Sequence, residues 1–277
     1  MIMKKIRVDH LLVEKGLAES RSQAQRLIMA GQVRVDGQVV PKPSNKAFSD
    51  AAIELISRPR FVSRGGEKLE AAFDSFNLQV KGQICADVGA STGGFTDCLI
   101  QHGAQRVVAI DVGQGLLHWK LRNDPRIVIM ERTNARYIQS LPHPITFISI
   151  DVSFISLKTI LPVAKCWFSE QGDPIAKDSN FPEEQIVALI KPQFEAGRKE
   201  AAKGKGVIRN PEIHQRILLD SLNFALESGF SIQGLIQSPI KGPKGNIEFL
   251  VWLVYPLDPS LSDPDFDKMV SKAVGIK

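Results

Sequence analysis

Apolar positions near the start of the chain recur first at helical and then at strand spacing. Val8, Leu11 and Leu12 share one helical face, and Gly16 ends that run. Ser20 is placed to cap a second helix, with Gln23 completing a capping box and Ala24, Leu27 and Ile28 as its apolar face. Gly31 follows as a stop. The stretch V-R-V-D-G-Q-V-V alternates around Asp36-Gly37, which predicts a hairpin, and a short strand is expected over Ile53–Ile56. Residues 1–57 therefore read as a small α+β module, followed by a proline-containing linker over 58–64.

Beyond the linker the pattern changes scale. A helix is expected from about Glu67 to Phe76, with Leu69, Ala72, Phe73 and Phe76 on one face and the flexible-looking Ser63-Arg64-Gly65-Gly66 before it. From residue 83 the runs I-C-A-D-V, V-V-A-I-D, I-V-I-M, I-T-F-I-S-I-D and I-V-A-L-I-K alternate with segments long enough for helices. Near-continuous apolar strands between helices predict a mostly parallel sheet covered on both faces. Asn210-Pro211 opens a further helix, which Gly229 stops. The segment between Ile232–Gln237 and Ile247–Val254 holds no helix, so the last strand is expected to be antiparallel to its predecessor. The fold class expected for 65–260 is α/β, a doubly wound Rossmann-like sheet with a terminal antiparallel strand, with 261–277 as a C-terminal tail.

Composition narrows this picture. At 277 residues, 43% hydrophobic and 23% charged, the chain has the composition of a folded protein rather than a disordered or low-complexity one. Cys85, Cys98 and Cys166 are too few and too scattered for a disulfide framework or a zinc cage, and no metal is expected. The first ten residues lack the apolar run of a signal peptide, and the longest apolar stretch, Phe249–Leu257, falls short of the ~20 residues of a membrane span. A cytoplasmic protein with no membrane partner is expected. The formal net charge of +5 is unevenly placed: residues 1–66 carry +6 and the remainder −1. A basic module joined to a near-neutral domain suggests a polyanion-binding arm. Arg7, Arg21 and Arg26 in the module, with Arg64 and Arg198 beyond it, are the candidates for phosphate contact.

Two constellations carry chemistry. Asp87-Val-Gly89-Ala-Ser91-Thr-Gly93-Gly94-Phe95 sits at a strand-to-helix junction, where small residues let a ligand approach the backbone. Asp111 ends the next strand, where a carboxylate can hold the ribose hydroxyls of an adenosine. The spacing of Gly89, Gly93 and Gly94 is not G-x-G-x-x-G, which disfavours a nicotinamide oxidoreductase. Asp87 suits a cationic ligand better than a pyrophosphate, so S-adenosylmethionine is the expected cofactor. Asn134, after the third strand, is expected near its adenine; Thr133 beside it could equally cap a helix. Asp151 and Lys191 end apolar strands, Glu248 begins the last one, and Lys68 lies on the preceding helix. If the last strand is antiparallel, Asp151, Lys191 and Glu248 share one rim of the sheet.

The runs S-R-G-G-E-K-L, D-V-G-A-S-T-G-G-F-T-D, A-I-D-V-G-Q-G-L-L-H-W-K-L-R-N-D-P-R, D-V-S-F-I-S-L and K-P-Q-F-E-A-G-R resemble the haemolysin-A-like (TlyA) family of ribosomal RNA 2′-O-methyltransferases, relatives of the FtsJ-type enzymes. The stretch L-L-V-E-K-G-L-A-E-S-R-S-Q-A-Q-R-L-I-M-A-G-Q-V-R-V-D-G resembles the alpha-L RNA-binding motif. The resemblance implies a Lys-Asp-Lys-Glu tetrad on Lys68, Asp151, Lys191 and Glu248, with S-adenosylmethionine as methyl donor. It implies cytidine ribose in ribosomal RNA, free or in ribosomal subunits, as acceptor, and leaves the oligomeric state open. Lys191 is expected to act as base or alkoxide stabiliser. Glu170–Glu183 reads as a surface insertion, and the basic, glycine-rich 195–209 as an RNA-side lid. The competing classes are an inactive RNA-binding or assembly factor, which the intact constellations disfavour, and a pore-forming haemolysin, for which the sequence offers no signal peptide, spanning helix or long amphipathic strands.

Overall fold

The computed structural model describes residues 5–56, 59–168, 184–197, 200, 204–242, 244–257 and 265–276. It divides into two compact units, Met1–Arg60 and Phe61–Lys277.

In the first unit, strand β1 (Lys5–Arg7) leads into helix α1 (Val8–Glu14), followed by α2 (Arg21–Met29). Ser20 caps α2, its Oγ accepting the Gln23 N–H at 3.2 Å. Gln23 Oε1 reaches back to the Glu19 N–H, one residue outside the predicted box. Strands β2 (Val33–Val35) and β3 (Gln38–Val39) form the expected hairpin, with Asp36 and Gly37 at φ of 49° and 78°, as a tight two-residue turn of positive φ requires. Strand β4 (Lys46–Phe48) pairs antiparallel with β1, and β5 (Ile53–Leu55) pairs with the free side of β2. The sequence pattern predicts neither β1 nor β4, which are as short as β2 and β5 but lack both a turn signal and an alternating apolar run. Val8, Leu11, Leu12, Ala24, Leu27, Ile28 and Val33 form this unit's core.

The second unit opens earlier than the sequence suggests. Phe61–Arg64, expected in a linker, belongs to this body: Phe61 is buried in its core, and the Val62 N–H donates to Asp97 Oδ2 at 2.8 Å. Helix α3 spans Gly65–Phe76, so the two glycines form its first turn rather than a flexible approach to it. Then follow β6 (Ile84–Val88), α4 (Gly94–Gln101), β7 (Arg106–Ile110), the short α5 (Trp119–Arg122) and β8 (Ile127–Met130). Strand β9 (Phe147–Ile150), α6 (Leu157–Lys165), β10 (Glu184–Ile190) and the single turn α7 (Pro192–Glu195) continue the alternation. Helix α8 (Pro211–Glu227) is capped by Asn210, as predicted, and is followed by β11 (Ser231–Gln237) and β12 (Phe249–Tyr255).

The sheet order is β11-β12-β10-β9-β6-β7-β8. Strands β10, β9, β6, β7 and β8 are mutually parallel, and β12 is antiparallel to both of its neighbours. The antiparallel strand is thus last in sequence but lies inside the sheet, between β10 and β11. Side chains alternate across the strands. Cys85, Phe147, Val187 and Leu189 pack beneath α3 and α4, whereas Ala86, Ile148, Ala188 and Ile190 pack in the other layer with residues of α6 and α8. The expected C-terminal tail contains a helix, α9 (Phe266–Val274), whose Val270 and Ala273 are buried in that second layer. Glu170–Glu183 lies outside the described residues. Among the described residues no helix is long and apolar enough to cross a membrane.

Candidate active site

Sheet register builds the site. The carboxyl ends of the parallel strands share one rim, which is where an open α/β sheet binds ligands. Val88 and Ile150 are paired, and the Asp151 N–H donates to the Val88 carbonyl at 2.9 Å, so Gly89 and Asp151 leave the sheet side by side. Ile190 is paired with Phe249, which sets Lys191, just past the end of β10, beside Glu248, just before β12. The predicted antiparallel direction of the last strand is what brings Glu248 to this rim.

All four tetrad candidates converge. Lys68 Nζ donates to Glu248 Oε2 at 2.7 Å and lies 3.9 Å from Asp151 Oδ2. Lys191 Nζ lies 2.5 Å from Asp151 Oδ1 and donates to Ser153 Oγ at 3.0 Å. Asp151 therefore bridges two ammonium groups. Lys68, Lys191 and Glu248 are buried. Charged groups survive burial only when paired, and two cations with two carboxylates leave the cluster neutral. Gln193 Nε2 donates to the other Glu248 oxygen at 3.3 Å. A Cβ on Gly242 would come within 2.4 Å of Glu248 Oε1, so a side chain there would have to displace that carboxylate.

These groups line a cavity of about 860 Å³, together with Gly89, Ser91, Ser153, Phe154, Phe194 and Lys244. Phe154 is a residue that sequence reasoning misses. It is 90% exposed, holds a positive φ of 65° and lies 4.8 Å from the Phe194 ring. A non-glycine residue in that conformation, presenting an aromatic face to solvent, is uncommon. The available signal is a large apolar residue shortly beyond the end of an apolar strand.

The glycine-rich loop divides into residues that face this rim and residues that pack behind it. Gly89, at φ 86°, has no room for a side chain: a Cβ would fall 2.5 Å from the Asp151 carbonyl oxygen. The Ser91 N–H donates to Asp111 Oδ2 and the Gly113 N–H to Oδ1, both at 2.7 Å. Asp111 thereby fixes the loop, and each of its oxygens keeps acceptor capacity. A smaller pocket beside it is lined by Ala90, Ser91, Asp111, Leu116, Ile129 and Glu131. Ser91 lines both spaces. The smaller pocket has a volume of only about 10 Å³, and through Ser91 it adjoins the larger cavity that holds the four charged side chains. Glu131, paired with Arg122 and accepting the Gly115 N–H, is held below the usual carboxylate range by that guanidinium.

Several predicted cofactor residues have other work. Asp87 is fully buried, its oxygens accepting from Thr96 Oγ1 at 2.6 Å and Ser149 Oγ at 3.1 Å, and burial pushes its carboxyl up to about 7. It braces the loop from behind and does not line the cavity. Gly93, at φ 94°, lies under Leu117 and Leu121; Gly94 lies against Ser63 and the Gly66 backbone; Phe95 is a core residue. Asn134 caps a 3-10 turn, Ala135–Tyr137, its Oδ1 accepting the Arg136 N–H. Thr133 Oγ1 donates to the Glu131 carbonyl.

Of the candidates for RNA contact, Arg7 and Arg21 both bind the buried Asp9. Arg26 is exposed in the last turn of α2, and Arg64 is exposed at the start of α3. Arg198 lies outside the described residues.

Residues 61–255 match the FtsJ-like methyltransferase family, and residues 6–46 match the S4 domain. The 16S/23S rRNA (cytidine-2′-O)-methyltransferase TlyA of Mycobacterium tuberculosis is 41% identical over 275 residues, 98% of either chain. Hemolysin A of Brachyspira hyodysenteriae is 43% identical over 253 residues, 90% of this chain and 100% of its own. A solved structure from Streptococcus thermophilus, provisionally assigned as a hemolysin, is 42% identical, covers 99% of this chain and 97% of its own, and superposes with a TM-score of 0.71. With the match spanning the whole sheet, its glycine loop and the converged lysine and carboxylate pairs, the chain belongs to the FtsJ-like methyltransferase family and carries an S4 domain ahead of its methyltransferase domain.

Proposed function

We propose that this protein transfers a methyl group from S-adenosylmethionine to the 2′-hydroxyl of a cytidine in ribosomal RNA, acting in the cytoplasm. The observation that carries the reading is the convergence of Lys68, Asp151, Lys191 and Glu248 on one cavity beside the Gly89–Ser91 loop. The relatives named for ribosomal RNA methylation support the substrate class.

Asp111 and the backbone of the loop would hold the donor, which supplies a methyl group already activated for transfer. The remaining task falls to the chain: to hold a ribose hydroxyl in line and manage its proton. Asp151 and Ser153 fix Lys191 Nζ; as the free amine Lys191 takes the hydroxyl proton, and as the ammonium it holds the oxyanion while the proton leaves to solvent through the open cavity. Glu248 and Asp151 fix Lys68, which supplies a second positive charge to the developing alkoxide. Oppositely charged partners at close range keep both amines from drifting, so the site is organised before substrate arrives. Phe154, projecting at the cavity mouth, offers a face on which the acceptor's base stacks.

The test is methylation of purified ribosomal subunits with labelled donor, followed by mapping of 2′-O-methyl positions. Wild-type protein is expected to label a cytidine. Lys191→Ala is expected to lower turnover by about 100-fold or more, with donor binding by calorimetry unchanged. Absence of label in either subunit overturns the reading, and near-wild-type turnover of the variant overturns the role of Lys191.

A further inference from the structure

The S4 unit buries a carboxylate where an apolar side chain would pack better. Asp9 is on α1 between Val8 and Leu11, and its side chain is fully buried against α2. A buried charge pair commonly contributes no more stability than apolar packing would, so its presence there calls for another reason. Its hydrogen bonds supply one. Asp9 Oδ1 accepts from Arg7 Nε at 2.9 Å. Oδ2 accepts from Arg7 Nη2 at 3.0 Å, from Arg21 Nε at 3.0 Å and from Gln25 Nε2 at 2.9 Å. One carboxylate thus holds two guanidinium groups from two elements.

The inner edge of each guanidinium is anchored and the outer edge faces outward. Arg7 presents Nη1, and Arg21 presents both terminal amino groups, since only its Nε is engaged. Among the described residues these outer N–H groups have no other acceptor. The two side chains are 37% and 50% exposed, although the carboxylate beneath them is 0% exposed. Two planar forks set side by side, with a net charge of +1 for the trio, match the oxygens of a nucleic acid backbone phosphate. An arginine held in place also gives up less side-chain entropy on binding than a free one.

We propose that Asp9 is a positioning residue for RNA binding: it orients Arg7 and Arg21 as a paired phosphate fork on the S4 unit. The inference rests on the reading of the protein as one that binds ribosomal RNA. It has a consequence that net charge alone would not give. Removing a negative charge from a basic RNA-binding unit ought to strengthen RNA binding by simple Coulomb attraction. Removing this one weakens it, because the two arginines lose their orientation.

The experiment compares full-length wild type, Asp9→Asn, Asp9→Leu and the Arg7→Ala/Arg21→Ala pair for binding to purified small and large ribosomal subunits over a salt series. Asp9→Leu is included because an apolar residue there preserves packing, and thermal melting of each variant reports whether the unit remains folded. Both Asp9 variants are expected to bind at least about tenfold more weakly than wild type. The slope of log affinity against log salt is expected to fall by roughly one to two, the effect of one or two fewer phosphate contacts. Donor binding should not change. Adding Asp9→Asn to the double arginine variant should cause no further loss, since the carboxylate then has nothing to orient. Unchanged or tighter binding by the Asp9 variants overturns the proposal. So does an equal further loss in the arginine-free background, which would mark a merely structural residue. Failure of wild type to bind either subunit overturns the functional reading as well, and is thereby distinguished from a defect of this inference alone.

Discussion

Asp87 shows what a residue's neighbours decide and its place in a motif does not. An acid preceding a glycine-rich loop suggests the partner of a cationic ligand, but its side chain turns inward, to Thr96 and Ser149. Nothing in the one-dimensional pattern distinguishes the two directions, because the hydroxyl of Ser149 is contributed by a strand 62 residues away. Burial raises the carboxyl from 3.8 to about 7. Between those values the folded protein keeps a proton that the unfolded chain has released. Stability should therefore fall as pH rises from about 4 to about 7, and the penalty should be complete above that window. Asp87→Asn retains an acceptor oxygen and removes the titration. Its melting temperature should vary less with pH across this window than that of wild type. Parallel profiles would mean that Asp87 is ionised throughout. The convergence of Lys68, Asp151, Lys191 and Glu248 is only partly legible at the same scale: charged residues bounding apolar strands are costly to bury without partners, which marks each one, but it is the family resemblance that groups the four.

Elements are legible where their periodicity is long and illegible where their meaning lies in packing. Strands β6 to β10 announce themselves as apolar runs, and Asp36-Gly37 announces the hairpin, whereas β1 and β4 have three residues each and only a partner to define them. Gly65 and Gly66 are the instructive failure. Taken alone they suggest a flexible approach to the helix; folded, they begin α3. They also differ from one another. A Cβ on Gly66 would fall 2.3 Å from the Phe61 ring, but on Gly65 it would find its nearest neighbour at 3.5 Å, an ordinary contact. Alanine in a helix is worth about 0.5–1 kcal/mol over glycine, and overpacking costs about 1–3 kcal/mol. Gly66→Ala should thus destabilise the protein by up to about 2.5 kcal/mol, the overpacking cost less the helical gain. Gly65→Ala should be neutral or slightly stabilising. Denaturant midpoints of the two variants test the distinction. Lys68 follows closely after Gly66 on the same helix, so the first variant should also lose methyl transfer while the second keeps it. Equal midpoints would remove Phe61 from the account of why α3 starts where it does.

At the scale of the whole molecule, the charge division seen in the sequence has a structural counterpart. Counted by unit, residues 1–60 carry the whole +5, and residues 61–277, whose buried lysine and carboxylate pairs balance to zero, carry none. A neutral tetrad contributes no net attraction for a polyanion, so long-range attraction to RNA must come from elsewhere in the chain. The second unit has apolar layers on both faces of its sheet, and the residues proposed to hold the donor, Gly89, Ser91 and Asp111, all lie within it. Deleting residues 1–60 should therefore leave donor affinity within a few-fold of wild type by calorimetry. The same deletion should weaken binding to ribosomal subunits by about 100-fold or more at moderate salt. Every phosphate that the shortened protein no longer neutralises lowers the slope of log affinity against log salt by about 0.7–0.9, so the residual binding should also be much less sensitive to salt. Turnover at saturating RNA should fall far less than affinity, because the groups that position the hydroxyl remain. If subunit affinity and its salt slope survive the deletion, the basic unit is not the RNA anchor. Attraction would then have to reside in the catalytic unit, whose cavity wall carries Lys244 and whose α3 begins beside the exposed Arg64.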